Sequence, residues 1–247
     1  MKNYSFQTDL VKSLNMVKST NEKYTYIYNP IFKKDFKLLL DKNSISWVMK
    51  YKQQRINDFL EKKRILDINI SDDIFCYIYY FYAFVLQDIW HIHSYIPKKI
   101  KNVLDIGAGI GLFEIYLDFI NTNINEFVII EKKDLVHNNN LIDVLKICRK
   151  TAQSYNLENK FYFYDDNNYL EIKKKFDFVI SLRSWCYKYD IDIYLDHVLK
   201  SIDKETSLII DIRNNYEAEK ITNKFGKSEI ITSYSDHKRY MLNKFLG

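Results

Sequence analysis

The stretch Val103-Leu104-Asp105-Ile106-Gly107-Ala108-Gly109-Ile110-Gly111 decides how the rest of the chain is read. Its first four residues form a short, mostly branched apolar run, which predicts a buried strand, and the apolar and aromatic residues from about Ile110 onward predict a helix. Between them lie three of the five glycines in a chain of 247 residues. Glycine is costly in ordered structure unless the backbone must turn tightly or approach a ligand, so their concentration in five positions predicts a binding loop, against the plainer alternative of a tight turn with no ligand. The spacing differs from the dinucleotide pattern G-x-G-x-x-G, whose third glycine would stand at Leu112; from Asp105 the chain reads Asp-x-Gly-x-Gly-x-Gly. Twenty positions after Gly111, Glu131 follows a second strand-like run, Phe127-Val128-Ile129-Ile130, where a carboxylate can accept both hydroxyls of a ribose.

Outward from this centre the alternation continues, with a helix over about 140–155, a strand at Phe161–Tyr164, a strand over 176–182, an amphipathic helix over 193–202 and a strand at Ser207–Ile212. Strands alternating with helices predict a parallel sheet covered on both faces. The rhythm then breaks: residues 229–233 and 239–243, joined by the polar 234–238, read as an antiparallel hairpin. The expected fold is therefore α/β, a Rossmann-like seven-stranded mostly parallel sheet with a C-terminal antiparallel hairpin, plus a helical N-terminal region. That region spans 1–97 and shows helical spacing, as in Ile45, Trp47, Val48 and Tyr51; Ser71-Asp72-Asp73 signals a helix start and Pro97 a stop. It is expected to serve as a lid, an acceptor contact or an oligomer contact, with 98–247 as the main domain. The run 74–86 is apolar nearly all round and has to be covered on more than one side, by the neighbouring domain or by a second subunit; the second case would be a homodimer through the N-terminal helices.

Composition narrows the function classes. With 47% apolar residues, five glycines and two prolines, the chain is neither disordered nor a linker or repeat sequence. The apolar run 74–86 is thirteen residues long, short of the roughly 18 that a membrane span needs. The start has no apolar signal segment, and three cysteines at 76, 148 and 186 form no C-x-x-C pair, so a reducing cytoplasm is expected. The net charge of +5 is too small to imply a nucleic-acid partner, and no H-x-x-x-H or H-E-x-x-H spacing indicates a metal.

Residues 102–247 resemble a class I S-adenosylmethionine-dependent methyltransferase domain. The resemblance rests on residues 103–111, on Glu131 and on the closing hairpin. It implies S-adenosyl-L-methionine as cofactor, with Asp105, Gly107, Ala108, Gly109 and Gly111 forming the loop site and Glu131 on the ribose. Asp165 or Asp166 would bind the adenine amino group, and Ser181 and Leu182 would line the methionyl end. The residue types suit such a ligand: it has no phosphates, it carries a sulfonium cation, and residues 102–131 contain no Lys or Arg.

A narrower similarity is to sugar O-methyltransferases of bacterial surface polysaccharide biosynthesis, on Ser181-Leu182-Arg183-Ser184-Trp185-Cys186-Tyr187-Lys188-Tyr189 followed by Tyr194-Leu195. It implies a sugar, sugar-nucleotide or glycan acceptor contacted by Arg183, Trp185, Tyr187 and Lys188. Lys188 and Asp190 stand where that pattern carries His and Pro, so acceptor and base stay open. His91 and His93 are the first histidines to examine, and no catalytic residue is assigned. Other readings keep the cofactor and change the target to a phosphorylated or phosphoramidate-bearing capsule precursor, a small amine or RNA. Further readings are a methyltransferase-like binding or scaffold subunit and a nicotinamide oxidoreductase. No proline follows Pro97, so the Pro-Pro-aromatic run of base-methylating enzymes is missing and nucleic acid is not the expected partner.

Overall fold

The computed structural model describes residues 85, 88–89, 91–121, 123–132, 135–137, 140–142 and 144–247. Most of the expected helical N-terminal region, including the run 74–86 apart from Val85, and the dimer contacts assigned to it lie outside the described residues; 85, 88–89 and 91–97 are its described part. The remainder of the chain forms a seven-stranded sheet with helices on its connections. Its elements in chain order are β1 (Asn102–Ile106), α1 (Leu112–Ile120), β2 (Glu126–Ile130), β3 (Leu135–His137), β4 (Asn140–Ile142) and α2 (Val144–Ser154). Next come β5 (Phe161–Tyr164), β6 (Phe178–Ser181), α3 (Leu195–Ser201), β7 (Ser207–Ile212), α4 (Asn215–Thr222), β8 (Phe225–Ser233) and β9 (Lys238–Phe245).

The sheet order is β5-β2-β1-β6-β7-β9-β8. The first five strands in that order are parallel, and β9 runs antiparallel to both β7 and β8. This is the α/β, Rossmann-like, mostly parallel sheet with a C-terminal antiparallel pair that the sequence predicts. Phe127, Val128, Ile129 and Ile130 of β2 and Phe178, Val179 and Ile180 of β6 are all buried, because strands covered on both faces carry apolar runs rather than alternation. Burying each such side chain contributes about 1.5–3 kcal/mol. Strand β8 is the exposed edge, and Lys227 and Glu229 on it discourage pairing with another chain.

The chain leaves β1 toward β2 and β5 on one side and later builds β6 and β7 on the other. The divergence opens a crease at the carboxyl ends of β1 and β6, where ligands bind in open parallel sheets. One expectation is corrected nearby: the helix expected from about 140 begins at Val144, and Asn140–Ile142 pairs instead with Leu135–His137 in a two-stranded antiparallel ribbon. The short run Asn140-Leu141-Ile142 suits a strand as well as a helix, and its pairing with Leu135–His137 decides between them. Helix α4 adds an element that the strand-and-helix alternation did not forecast. Its start is fixed by Asn214, whose side chain accepts the Glu217 N–H at 2.8 Å.

Candidate functional site

Gly107, Gly109 and Gly111 all have left-handed φ, at 93°, 60° and 78°. The three positions do different work. A Cβ at Gly107 would fall 2.1 Å from Ser184 Oγ, and one at Gly111 would fall 2.7 Å from Cys148 Sγ, so these glycines let neighbouring segments close on the loop. A Cβ at Gly109 meets nothing within 4 Å: its face looks into open space. The Gly107 N–H donates to the Ile130 carbonyl at 2.8 Å and ties the loop to the end of β2. Helix α1 follows Gly111, which provides no side-chain cap, so the Leu112 and Phe113 N–H groups at its start are not engaged by a capping side chain. Ala108 lies between the two open-angled glycines and is half-buried.

Three acids line this loop. Glu131 is 7% exposed; its Oε2 accepts the Gly109 N–H at 2.9 Å and its Oε1 the Lys132 N–H at 3.0 Å. Burial raises its pKa, the two amides and the charge of Lys188 oppose the rise, and the outcome is a carboxyl pushed up to about 7. Asp105, on β1, and Glu114, in the first turn of α1, are buried side by side with no cation among the groups that act on them. Burial pushes both pKa values up, Asp105 well above the usual carboxylate range with the charge of Glu114 adding to it. Each acid of the pair thus resists ionisation, and a cationic group placed beside the pair would favour its charged form. Glu114 is absent from the residues that the sequence points to; its signal was an acid among Leu112, Phe113, Ile115, Tyr116 and Leu117.

The buried pair makes stability depend on pH. A group whose folded pKa lies above its unfolded value binds more protons folded than unfolded, so stability falls as pH rises from the unfolded value through the folded one. Glu114→Gln removes one of the two acids. In thermal or denaturant melts it is expected to be more stable than the parent at pH 8, on the order of 1–3 kcal/mol, with the difference vanishing near pH 4. A variant less stable than the parent at pH 8 would contradict the description of this pair.

At the far end of the crease the structure separates the two candidate aspartates. Asp165 folds its own turn: its Oδ1 accepts the Asn167 N–H at 2.9 Å and its carbonyl accepts the N–H groups of Asn168 and Tyr169. Asp166 reaches toward Glu131's neighbourhood, with its Oδ1 accepting the Tyr194 hydroxyl at 3.2 Å and its Oδ2 lying 3.8 Å from Lys132 Nζ. Lys132 Nζ in turn sits 4.2 Å from the centre of the Tyr189 ring. Lys132, Tyr189 and Tyr194 thus form a rim that the sequence did not assign to the site, although both tyrosines fall in the quoted signature.

The segment after β6 corrects two expectations. Ser181 is fully buried and its hydroxyl is engaged, donating to the Ile106 carbonyl at 2.7 Å and accepting the Trp185 N–H at 3.0 Å. It joins the ends of β1 and β6 and leaves no hydroxyl for a ligand. Trp185, expected at the acceptor, is also fully buried, with Nε1 donating to the Ile191 carbonyl at 2.8 Å, and belongs to the core. Its size and shape make it the anchor that holds the loop closed. Arg183 and Cys186 adopt left-handed φ of 55° and 62° without being glycine, a strain of about 1–2 kcal/mol each that clusters at functional loops. Tyr187 and Lys188 are on the surface of that loop, Tyr187 partly buried and Lys188 exposed.

Beside this loop, at the carboxyl end of β7, lies a buried ion network. Arg239 donates from Nε to Asp211 Oδ1 at 2.6 Å, and from Nη2 to Asp211 Oδ2 at 2.8 Å and Asp88 Oδ1 at 2.9 Å. Arg183 donates from Nη1 to Asp88 Oδ2 at 2.8 Å and from its backbone N–H to Asp211 Oδ2 at 3.0 Å. Its guanidinium therefore serves an acid of the chain rather than standing ready for a phosphate. Burial would raise the Asp211 pKa, but the bonds from Arg239 and His237 and their charges pull it down to about 2. The turn between β8 and β9 completes the wall. His237 lies between Asp236, 2.8 Å from its Nδ1, and Asp211, 3.5 Å from its Nε2. Tyr187 donates its hydroxyl to Asp236 at 2.7 Å, and the Tyr234 ring stacks on His237 at 4.2 Å.

Among the described residues no group of three or more His, Cys, Asp or Glu side chains is arranged to hold a metal, and no helix is long and apolar enough to cross a membrane. No protein-family model and no curated protein matches the chain. Among solved structures it is similar to a ribosomal protein L11 methylase from Lactobacillus delbrueckii subsp. bulgaricus, at 11% identity over 65% of this chain and 78% of that one, TM-score 0.45. A precorrin-6y C5,15-methyltransferase from Geobacter metallireducens aligns at 12% identity over 64% and 87%, TM-score 0.47. A 16S rRNA N2 G1207 methyltransferase from T. thermophilus, in complex with AdoMet and guanosine, aligns at 14% over 65% and 42%, TM-score 0.47. Likeness at this level settles neither ligand nor activity, which have to come from the crease itself.

Proposed function

We propose that the chain is an S-adenosylmethionine-dependent O-methyltransferase whose acceptor is a sugar, sugar nucleotide or glycan of a bacterial surface polysaccharide. One observation carries the cofactor half: the N–H of Gly109, the loop glycine that faces open space, is held by the buried Glu131 at the end of the neighbouring strand. Loop backbone and acid therefore border one crease. The donor set fits the group: Glu131 would accept ribose hydroxyls, the uncapped start of α1 would take the methionyl carboxylate, and Asp105 beside it would favour the ammonium. Asp165 or Asp166 would take the adenine amino group, Asp165 beside its own turn and Asp166 beside Tyr194 and Lys132. A ligand with phosphates would meet three acids at the loop, with Lys188 acting on Glu131 but no cation acting on Asp105 or Glu114, which counts against a nicotinamide cofactor.

When bound, the cofactor supplies a methyl group on a sulfonium, an electrophile with a neutral leaving group. The chain has then to hold the acceptor oxygen in line with the carbon–sulfur bond, and orientation of this kind accounts for much of the acceleration such a reaction needs. Tyr187, Lys188 and Tyr189 offer aromatic faces and one cation at the mouth, a mixture suited to a sugar ring. Incubating the protein with methyl-labelled S-adenosylmethionine and, in parallel, sugar nucleotides, lipid-linked glycans and RNA tests the acceptor. Label in a sugar-bearing fraction is expected. Label confined to RNA would overturn the glycan assignment and leave the cofactor assignment standing.

A further inference from the structure

His91 is carried on a helical segment whose described residues are Val85, Asp88, Ile89, His91 and Ile92. Asp88, three positions earlier and so on the same face, is bonded to Arg183 and Arg239. That clamp seats the segment on the carboxyl edge of the sheet, against a loop whose Ser184 rests on Gly107. A hydrogen bond of 2.8 Å joins His91 Nδ1 and the Tyr234 hydroxyl, and among the described residues Nε2 makes none. The residue is half-buried, with one ring nitrogen anchored and the other left without a hydrogen-bond partner among the described residues.

Resting on the methyl-transfer reading, we propose that His91 is the general base, its Nε2 taking the proton of the acceptor hydroxyl while Tyr234 positions it by accepting from Nδ1–H. The acceptor oxygen forms the new carbon–oxygen bond as the carbon–sulfur bond breaks, its electron pair staying on sulfur. The hydroxyl proton goes to Nε2 and then to solvent. The groups facing His91 keep it in the form a base requires. Burial and the positive charges of Arg239 and Arg183 lower its pKa, against the smaller opposing pull of Asp88 and Asp211. Tyr234, half-buried and pushed up to about 12 chiefly by burial, remains a neutral hydroxyl. His237 differs. Burial lowers its pKa, but Asp211 and Asp236 raise it overall, so its environment favours the protonated form more than that of His91 does. The two histidines of this wall are therefore tuned in opposite directions, and His91 is the one suited to a base.

Nitrogen-15 NMR of the full chain, with the His91 signals assigned from His91→Gln, reads the imidazole directly. In the free protein His91 is expected to be the Nδ1–H tautomer with a midpoint below 6.5. Sinefungin, which carries an amine where the cofactor carries its sulfonium methyl, should lower that midpoint by about one unit relative to the adenosylhomocysteine complex, as a cation placed nearby does. Equal midpoints in two complexes that calorimetry shows to be formed would overturn the assignment of His91 alone. Failure of both ligands to bind would overturn the methyl-transfer reading and this proposal together. Tyr234→Phe, with its melt unchanged, should shift the tautomer balance toward Nε2–H; an unaltered balance would remove Tyr234 from the positioning role.

Discussion

Asp211→Ala should destabilise the fold by about 3–5 kcal/mol, because it strips the principal partner from a guanidinium that is fully buried. Of the carboxylates that bind Arg239 among the described residues Asp88 would remain, the Arg183 N–H would lose its acceptor, and His237 would lose one of the two carboxylates beside it. The size of the loss comes from stranding charge rather than from the intrinsic strength of the pair. The double variant Asp211→Ala/Arg239→Met should therefore recover a large part of it. Denaturant titrations of the three proteins measure both steps. A single variant as stable as the parent, or a double variant worse than the single, would contradict this description. The pH dependence has a fixed sign: a carboxylate depressed to about 2 contributes stability above its unfolded value near 4 and loses it as pH falls through the folded value.

Gly109→Asn should abolish most cofactor binding while leaving the fold intact. Asparagine tolerates the left-handed angle at this position, and its Cβ meets open space, so the native loop can form. The added side chain would occupy the crease that the ligand needs, a steric conflict of about 1–3 kcal/mol or more. Glu131→Ala removes the acid from the opposite wall and frees the Gly109 N–H; weakening by about 1.5–3 kcal/mol is expected, or roughly ten- to 150-fold in dissociation constant. Gly107 makes the contrasting case. A side chain there drives into Ser184, so Gly107→Ala should lower the melting temperature first and binding only in consequence. Melts and ligand titrations on the three variants separate the ligand-facing glycine from the packing one.

The sheet was legible because its signals are local. Apolar runs that end in Asp105-x-Gly-x-Gly-x-Gly or at Glu131 announce parallel strands and a loop without help from distant residues. The ribbon at β3 and β4 was not, since Asn140-Leu141-Ile142 suits helix and strand alike and pairing with Leu135–His137 decided it. Helix α4 could have been found from Asn214 and Glu217, spaced as a capping pair, had the polar stretch not hidden it. Site residues divide the same way. Gly107, Gly109, Gly111, Asp105 and Glu131 sit along one short segment and were read together, whereas Asp88, Arg183, Asp211, His237 and Arg239 converge from four separated segments. Pairing across such distances leaves no trace in spacing. Trp185 shows the opposite error: an aromatic in a loop resembled a binding residue, but its indole N–H is satisfied within the core.

The proposed function requires that the crease between Gly109 and Glu131 receive the adenosine of an S-adenosyl ligand. Calorimetric titration of adenosylhomocysteine into the full chain tests this most directly, with Glu131→Ala titrated alongside and NADH added as competitor. One ligand per chain, a markedly weaker variant and no displacement by NADH are expected. No heat of binding, an unaffected Glu131→Ala, or displacement by NADH would contradict it.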